Sequence, residues 1–113
     1  MAFTEITLTR DYRLAQAATE ITGLKVRLTP SAAMTNTGDT VLPIAVEATV
    51  GADGELPIAV AANTDPDTTP ADTSYTVREY VPGTGYSRTY SVVVPHDAAS
   101  ATADLATLEA AGA

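Results

Sequence analysis

Apolar and polar positions alternate along most of this chain, in short runs broken by Gly, Pro, Asn and Asp. A period of two places every second side chain on one face of an extended strand. The alternation predicts a first strand over residues 3–9, FTEITLT, with Ile6 and Leu8 on one face and Phe3 adding an apolar side chain. Residues 23–31, GLKVRLTPS, set Leu24, Val26 and Leu28 against Lys25, Arg27 and Thr29, and Pro30 ends the run because it cannot donate to a ladder. In residues 41–50, VLPIAVEATV, Ile44, Val46, Ala48 and Val50 share a face, and Pro43 suggests an edge strand or a bulge. Leu56, Ile58 and Val60 alternate in residues 55–62. Tyr75, Val77 and Val81 alternate in residues 75–81, and Tyr86, Tyr90, Val92 and Val94 in residues 86–95.

The punctuation is equally regular. Residues 32–40, AAMTNTGDT, carry turn chemistry in Asn36, Gly38 and Asp39. Asp53-Gly54, between two alternating runs, is a strong hairpin signal and predicts that 41–50 pairs with 55–62. Residues 63–74, NTDPDTTPADTS, are long for a hairpin and suit a passage from one sheet to another. PGTG at 82–85 joins the last two runs. Two stretches fit more than one reading. Residues 11–22 fit a helical stripe of Leu14, Ala17, Ala18 and Ile21, or a loop entering a strand, and the second is preferred. Residues 102–111 fit a short helix capped by Ser100 or Thr102, or a last strand around Leu105 with a loose end. Short strands at even spacing, with no interleaved helices, predict an all-β protein. The expected form is an antiparallel immunoglobulin-like or prealbumin-like β-sandwich of about seven strands.

Length adds a single domain, residues 1–113, large enough for one core, with segments 1–12 and 100–113 as weakly patterned arms. Hydrophobic residues make up 45% and aromatics 5%, so the core must come from Val, Ile, Leu, Ala and the five Tyr. The net charge of −8 argues against nucleic acid and anionic membrane surfaces as partners. The absence of Cys excludes disulfides and thiolate metal sites. The N-terminal residues lack the basic and apolar regions of a signal peptide, and no apolar run is long enough for a membrane-spanning helix. These features describe a protein that stays inside the cell that makes it, or leaves by lysis.

Residues that could do chemistry are few. His96 is the sole His, and with no Cys it would need carboxylates around it to hold zinc. Asp97 is its sequence neighbour, which is poor geometry for orienting an imidazole, and no Ser lies in a G-x-S-x-G elbow. Asp65, Asp67 and Asp72 lack the spacing of an EF-hand loop and read as turn formers. No catalytic residue, cofactor or metal site is expected. Arg78, Tyr80 and Arg88, on two neighbouring predicted strands, are the candidates for partner contact, since Tyr and Arg are enriched at protein interfaces. Arg78 and Glu79 should occupy opposite faces, and Arg88 shares the parity of Tyr86 and Tyr90.

The ordered set GLKVRLTPS, VEATVGADGELPIAVAANTDP, YTVREYV, YSRTYSVVVP and ADLATLE resembles a small domain of tailed actinobacteriophages. That family orders a G-x-V-x-F-T-P-S strand, a DG-x-(F/L) hairpin, a DP…P loop, YTV-x-E and a closing Y-x-V-x-V-P. Here Arg27-Leu28-Thr29 stands where the family has its aromatic F-T. The resemblance spans roughly residues 22–108 and implies a minor tail, tail-fibre or capsid decoration module, with no catalytic residues to carry over. The chain opens with Met and stops after the motif set, which fits a free-standing protein attached to a preassembled particle. The function it implies is a virion structural protein, assembled in the host cytoplasm, that binds the phage major capsid protein or other virion proteins and forms a homo-oligomer on the particle. The alternative is a tail-fibre or baseplate attachment domain; a carbohydrate-binding adhesion module, expected to show exposed Trp or a Tyr-lined groove, ranks after both.

Overall fold

The structure is a computed structural model that describes residues 3–12, 23–50, 56 and 58–112. Nine strands are present among these residues: β1 (Glu5–Thr9), β2 (Lys25–Pro30), β3 (Met34–Asn36), β4 (Asp39–Val41), β5 (Val46–Thr49), β6 (Ile58–Ala61), β7 (Tyr75–Tyr80), β8 (Ser87–Val92) and β9 (Thr102–Asp104). One helix follows, α1 (Leu105–Gly112). The protein is therefore mostly β. The strands form a three-stranded sheet in the order β6-β1-β9, a four-stranded sheet in the order β5-β2-β7-β8, and a β3-β4 hairpin. Every pairing is antiparallel except β1 with β9.

The alternation decides which face each strand buries. Ile6, Leu8 and Val60 of the three-stranded sheet join Val26, Leu28, Val77 and Val92 of the four-stranded sheet in one buried cluster. Tyr75 lies in the same cluster, and its hydroxyl donates to the carbonyl of Ala61 at 2.6 Å, tying β7 to the end of β6. Burial pushes the Tyr75 hydroxyl up to about 12. Buried polar side chains fasten the long connection between those strands. Asn63 donates to Thr73 Oγ1 at 3.2 Å and accepts from the Val94 amide at 2.8 Å, while Asn36 donates to Thr68 Oγ1 at 3.2 Å. Burying these amides is tolerable because each finds a partner.

Residues 63–74 do lead from the three-stranded to the four-stranded sheet, as their length predicts. The Asp53-Gly54 hairpin needs correction. Its residues lie outside those described, but the strands on either side are not partners: β5 pairs with β2 and β6 with β1. A turn signal reverses the chain without choosing the neighbour, and eight residues separate Thr49 from Ile58, enough to change sheets. The stretch 32–40 is more than a turn. Thr37 (φ 46°) and Gly38 (φ 91°) form a two-residue loop with both φ values positive, and Asn36 faces Asp39 across it, the geometry that closes tight hairpins. Residues 102–111 combine both readings of their pattern: a short strand, then a helix. The side chain that caps the helix is Asp104, whose Oδ1 accepts from the Ala106 amide at 2.9 Å, in place of Ser100 or Thr102. The loop-into-strand reading of residues 11–22 rests mostly on 13–22, which lie outside the described residues.

Candidate partner-binding surfaces

Three surfaces hold the side chains with chemical potential. The first is the outward face of the four-stranded sheet. Lys25 and Arg27 of β2, Arg78 and Tyr80 of β7, and Glu47 and Thr49 of β5 project there, with Ser87, Thr89 and Ser91 of β8. Glu47 Oε2 accepts from Arg27 Nε at 3.2 Å, Arg27 Nη2 at 3.1 Å and the Tyr80 hydroxyl. The Tyr80 hydroxyl, followed by Arg27, holds the Glu47 carboxyl below its ordinary range, and the same bond raises the Tyr80 hydroxyl. Arg78 lies with its guanidinium 4.6 Å from the centre of the Tyr80 ring, and its Nε donates to Ser87 Oγ at 3.2 Å.

The second is a buried charged cluster on the other face of the same sheet. Glu79 is only 1% exposed. Its carboxylate accepts from the Tyr12 hydroxyl at 2.6 Å, the Tyr90 hydroxyl at 2.7 Å and Arg88 Nε at 3.1 Å, with Arg10 Nε at 3.9 Å. Arg88 also forks onto Glu109 of α1, and Arg10 Nη1 donates to the same carboxylate at 2.8 Å. The cluster thus joins β7, β8, the chain just after β1, and α1. Burial, reinforced by the bond to Glu79, raises both the Tyr12 and Tyr90 hydroxyls far above their ordinary values. The fork onto Glu109 raises Arg88 further, and together with Arg10 it holds the Glu109 carboxyl down at about 2. No buried side-chain nitrogen or oxygen among the described residues lacks a partner.

The third is a groove of about 540 Å³ where the edges of β5 and β6 meet the end of β4. Val41, Leu42, Ile44, Val46, Ile58 and Val60 line it, and Glu5 is the one carboxylate among its described lining residues. Leu42, Ile44 and Val46 are 57%, 65% and 46% exposed. The strand expected over 41–50 is broken: β4 ends at Val41 and β5 begins at Val46, leaving Ile44 outside both. Of the expected inward residues, Val50 is buried, Ala48 packs against the core, and Ile44 and Val46 stand in solvent.

The three candidate contact residues therefore fall on two faces. Arg78 and Tyr80 stack together on the outer face, whereas Arg88 turns inward to Glu79, its cross-strand partner. Sequence reasoning missed Glu79 itself. Its parity with Tyr75 and Val77 was the available signal. Arg10, Tyr12 and Glu109, distant in sequence, carried none. His96 is half-buried, with its ring Nδ1 2.8 Å from Thr64 Oγ1. Asp65 accepts from the Thr4 hydroxyl at 2.9 Å and from the Asp67 amide, a turn-forming role, and the Thr4 bond lowers its carboxyl. Among the described residues, no three His, Cys, Asp or Glu gather as metal ligands, and no helix is long and apolar enough to cross a membrane. No protein-family model matches the chain, and no curated protein matches it.

Proposed function

We propose that the protein is a bacteriophage virion structural protein, a capsid decoration protein that holds on to the coat and reinforces it. The observation that carries this reading is the groove between β5 and β6. Leu42, Ile44 and Val46 keep large apolar side chains in solvent beside two sheet edges, and a contiguous apolar surface of this kind serves for attachment. The ordered motifs shared with the phage domains supply the kind of partner, the major capsid protein or another virion protein. The fold proposed is an immunoglobulin-like or prealbumin-like sandwich. Its support is the single core shared by the two larger sheets and the crossing between them at residues 63–74. Copies of the chain would cluster about the symmetry axes of the particle. The net charge of −8 would keep neighbouring particles apart.

The test is mass spectrometry of purified heads and purified tails from the phage that encodes the chain. The expected result is peptides of this protein in heads and not in tails. Peptides confined to tails would favour the tail attachment reading. Their absence from both fractions would end the virion reading altogether.

A further inference from the structure

The outer face of the four-stranded sheet has a charge opposite to that of the molecule. Among the described residues, Lys25, Arg27 and Arg78 lie on it with one carboxylate, Glu47. The described positions of this face carry a net +2 in a chain of net charge −8. The remaining outward positions bear mostly hydroxyls: Thr29, Thr49, Thr76, Ser87, Thr89 and Ser91. Arg27 and Arg78 stand directly opposite each other across β2 and β7. Like charges placed opposite one another weaken a sheet. A fold selected for stability alone would not need that pair.

Glu47 shows what the face recognises. One of its carboxylate oxygens collects two guanidinium N–H donors of Arg27 and the hydroxyl of Tyr80. The Arg78 guanidinium lies 4.6 Å from the centre of the Tyr80 ring, and its Nε donates to Ser87 Oγ. Among the described residues no carboxylate lies within ion-pair distance of it. Arg78 is an exposed residue whose guanidinium rests against the Tyr80 ring, and such a planar set of N–H donors suits carboxylate recognition.

We infer that this face binds an acidic segment of a partner protein, with Arg78 receiving a carboxylate beside the site that Glu47 already fills. The partner is a protein because the face offers a few local positive charges, whereas a nucleic acid would meet the repulsion of the whole −8 chain. The inference stands independently of the virion reading and of the apolar groove.

The experiment is an NMR titration of the whole ¹⁵N-labelled protein at low salt with a synthetic peptide of about ten residues alternating Glu and Thr. A Gln/Thr peptide and a single-stranded oligonucleotide serve as comparators. The expected shifts fall on residues 25–29, 47–49, 76–80 and 87–91. Raising the salt to a physiological level should weaken binding about tenfold, and Arg78→Glu should do the same at low salt. Arg78→Thr should weaken binding while melting at least as high as wild type. Binding of the Gln/Thr peptide with equal affinity, shifts mapping elsewhere, or no binding at low salt would overturn the inference. So would tighter binding of the oligonucleotide, or a lower melting midpoint for Arg78→Thr, which would assign Arg78 to holding the sheet together.

Discussion

The two flanks of the molecule are finished in opposite ways. On one flank, α1 packs against β8 and β9, anchored by Leu105 in the core and by charge: Arg88 and Arg10 grip Glu109 beside the buried Glu79. On the other flank the edges of β5 and β6 frame a groove whose lining is apolar and whose outer residues stand in solvent. A buried carboxylate is tolerable only when ringed by donors, so the charged flank commits its polar groups to one another. The apolar flank has no such internal obligation. The difference teaches which polar groups are committed to the fold and which surface is left over. The α1 flank, with Arg10, Arg88, Tyr12 and Tyr90, looks like an interface by composition, yet these groups are spent on the fold; on the proposed reading it is the plain aliphatic flank that meets the coat.

The most severe way to break the comparison removes the core that both flanks share. Val92 is 1% exposed, and Val92→Asp would bury an unpaired carboxylate. The expected outcome is loss of the cooperative melting transition; an unchanged transition would contradict the inward placement of Val92. The charged flank is tested next by Arg88→Met. Removing one partner of a buried ion pair costs about 3–5 kcal/mol. Here about 2 kcal/mol is expected in urea unfolding, because the Arg88 side chain is 35% exposed and the two Tyr hydroxyls and Arg10 remain with Glu79.

A smaller effect follows pH. The Glu109 carboxyl falls from its ordinary 4.5 to about 2 in the folded protein. A carboxyl depressed by folding adds stability above its unfolded value and loses it as pH drops through the folded one. The grip on α1 is therefore complete above pH 4.5 and drains between there and about 2. Urea midpoints of wild type and Glu109→Gln should differ at neutral pH and converge across that window. A gap that persists unchanged at the acid end would contradict the ionic account. The smallest effect belongs to the apolar flank. Ile44 is 65% exposed, so Ile44→Ser should change stability by less than about 0.5 kcal/mol while weakening attachment to particles. A large loss of stability would mean that Ile44 serves the fold.

Much of the fold could be read from period two. β1, β2 and β7 are long enough for alternation to name their inward residues; in β8 it names Val92 but misplaces Tyr86, which is 46% exposed and stands before the strand. β3 and β4 have three residues each, too few to show a period, and their Asn, Thr and Gly read as turn chemistry. The Asp53-Gly54 signal misled because local chemistry reports a reversal and not a neighbour. Parity also carried more than was taken from it. It separates Arg78 and Tyr80 from Arg88, and it sends Glu79 inward, against the habit of reading a charged residue as exposed. The groove had no sequence signature, since strands of different sheets build it.

The claim that attachment uses the apolar flank is tested most directly by hydrogen–deuterium exchange, comparing the free protein with the protein bound to purified heads that lack it. The account predicts added protection across residues 40–46 and 58–61 and none in α1. Protection confined to β8 and α1, with the groove exchanging as in the free protein, would contradict it.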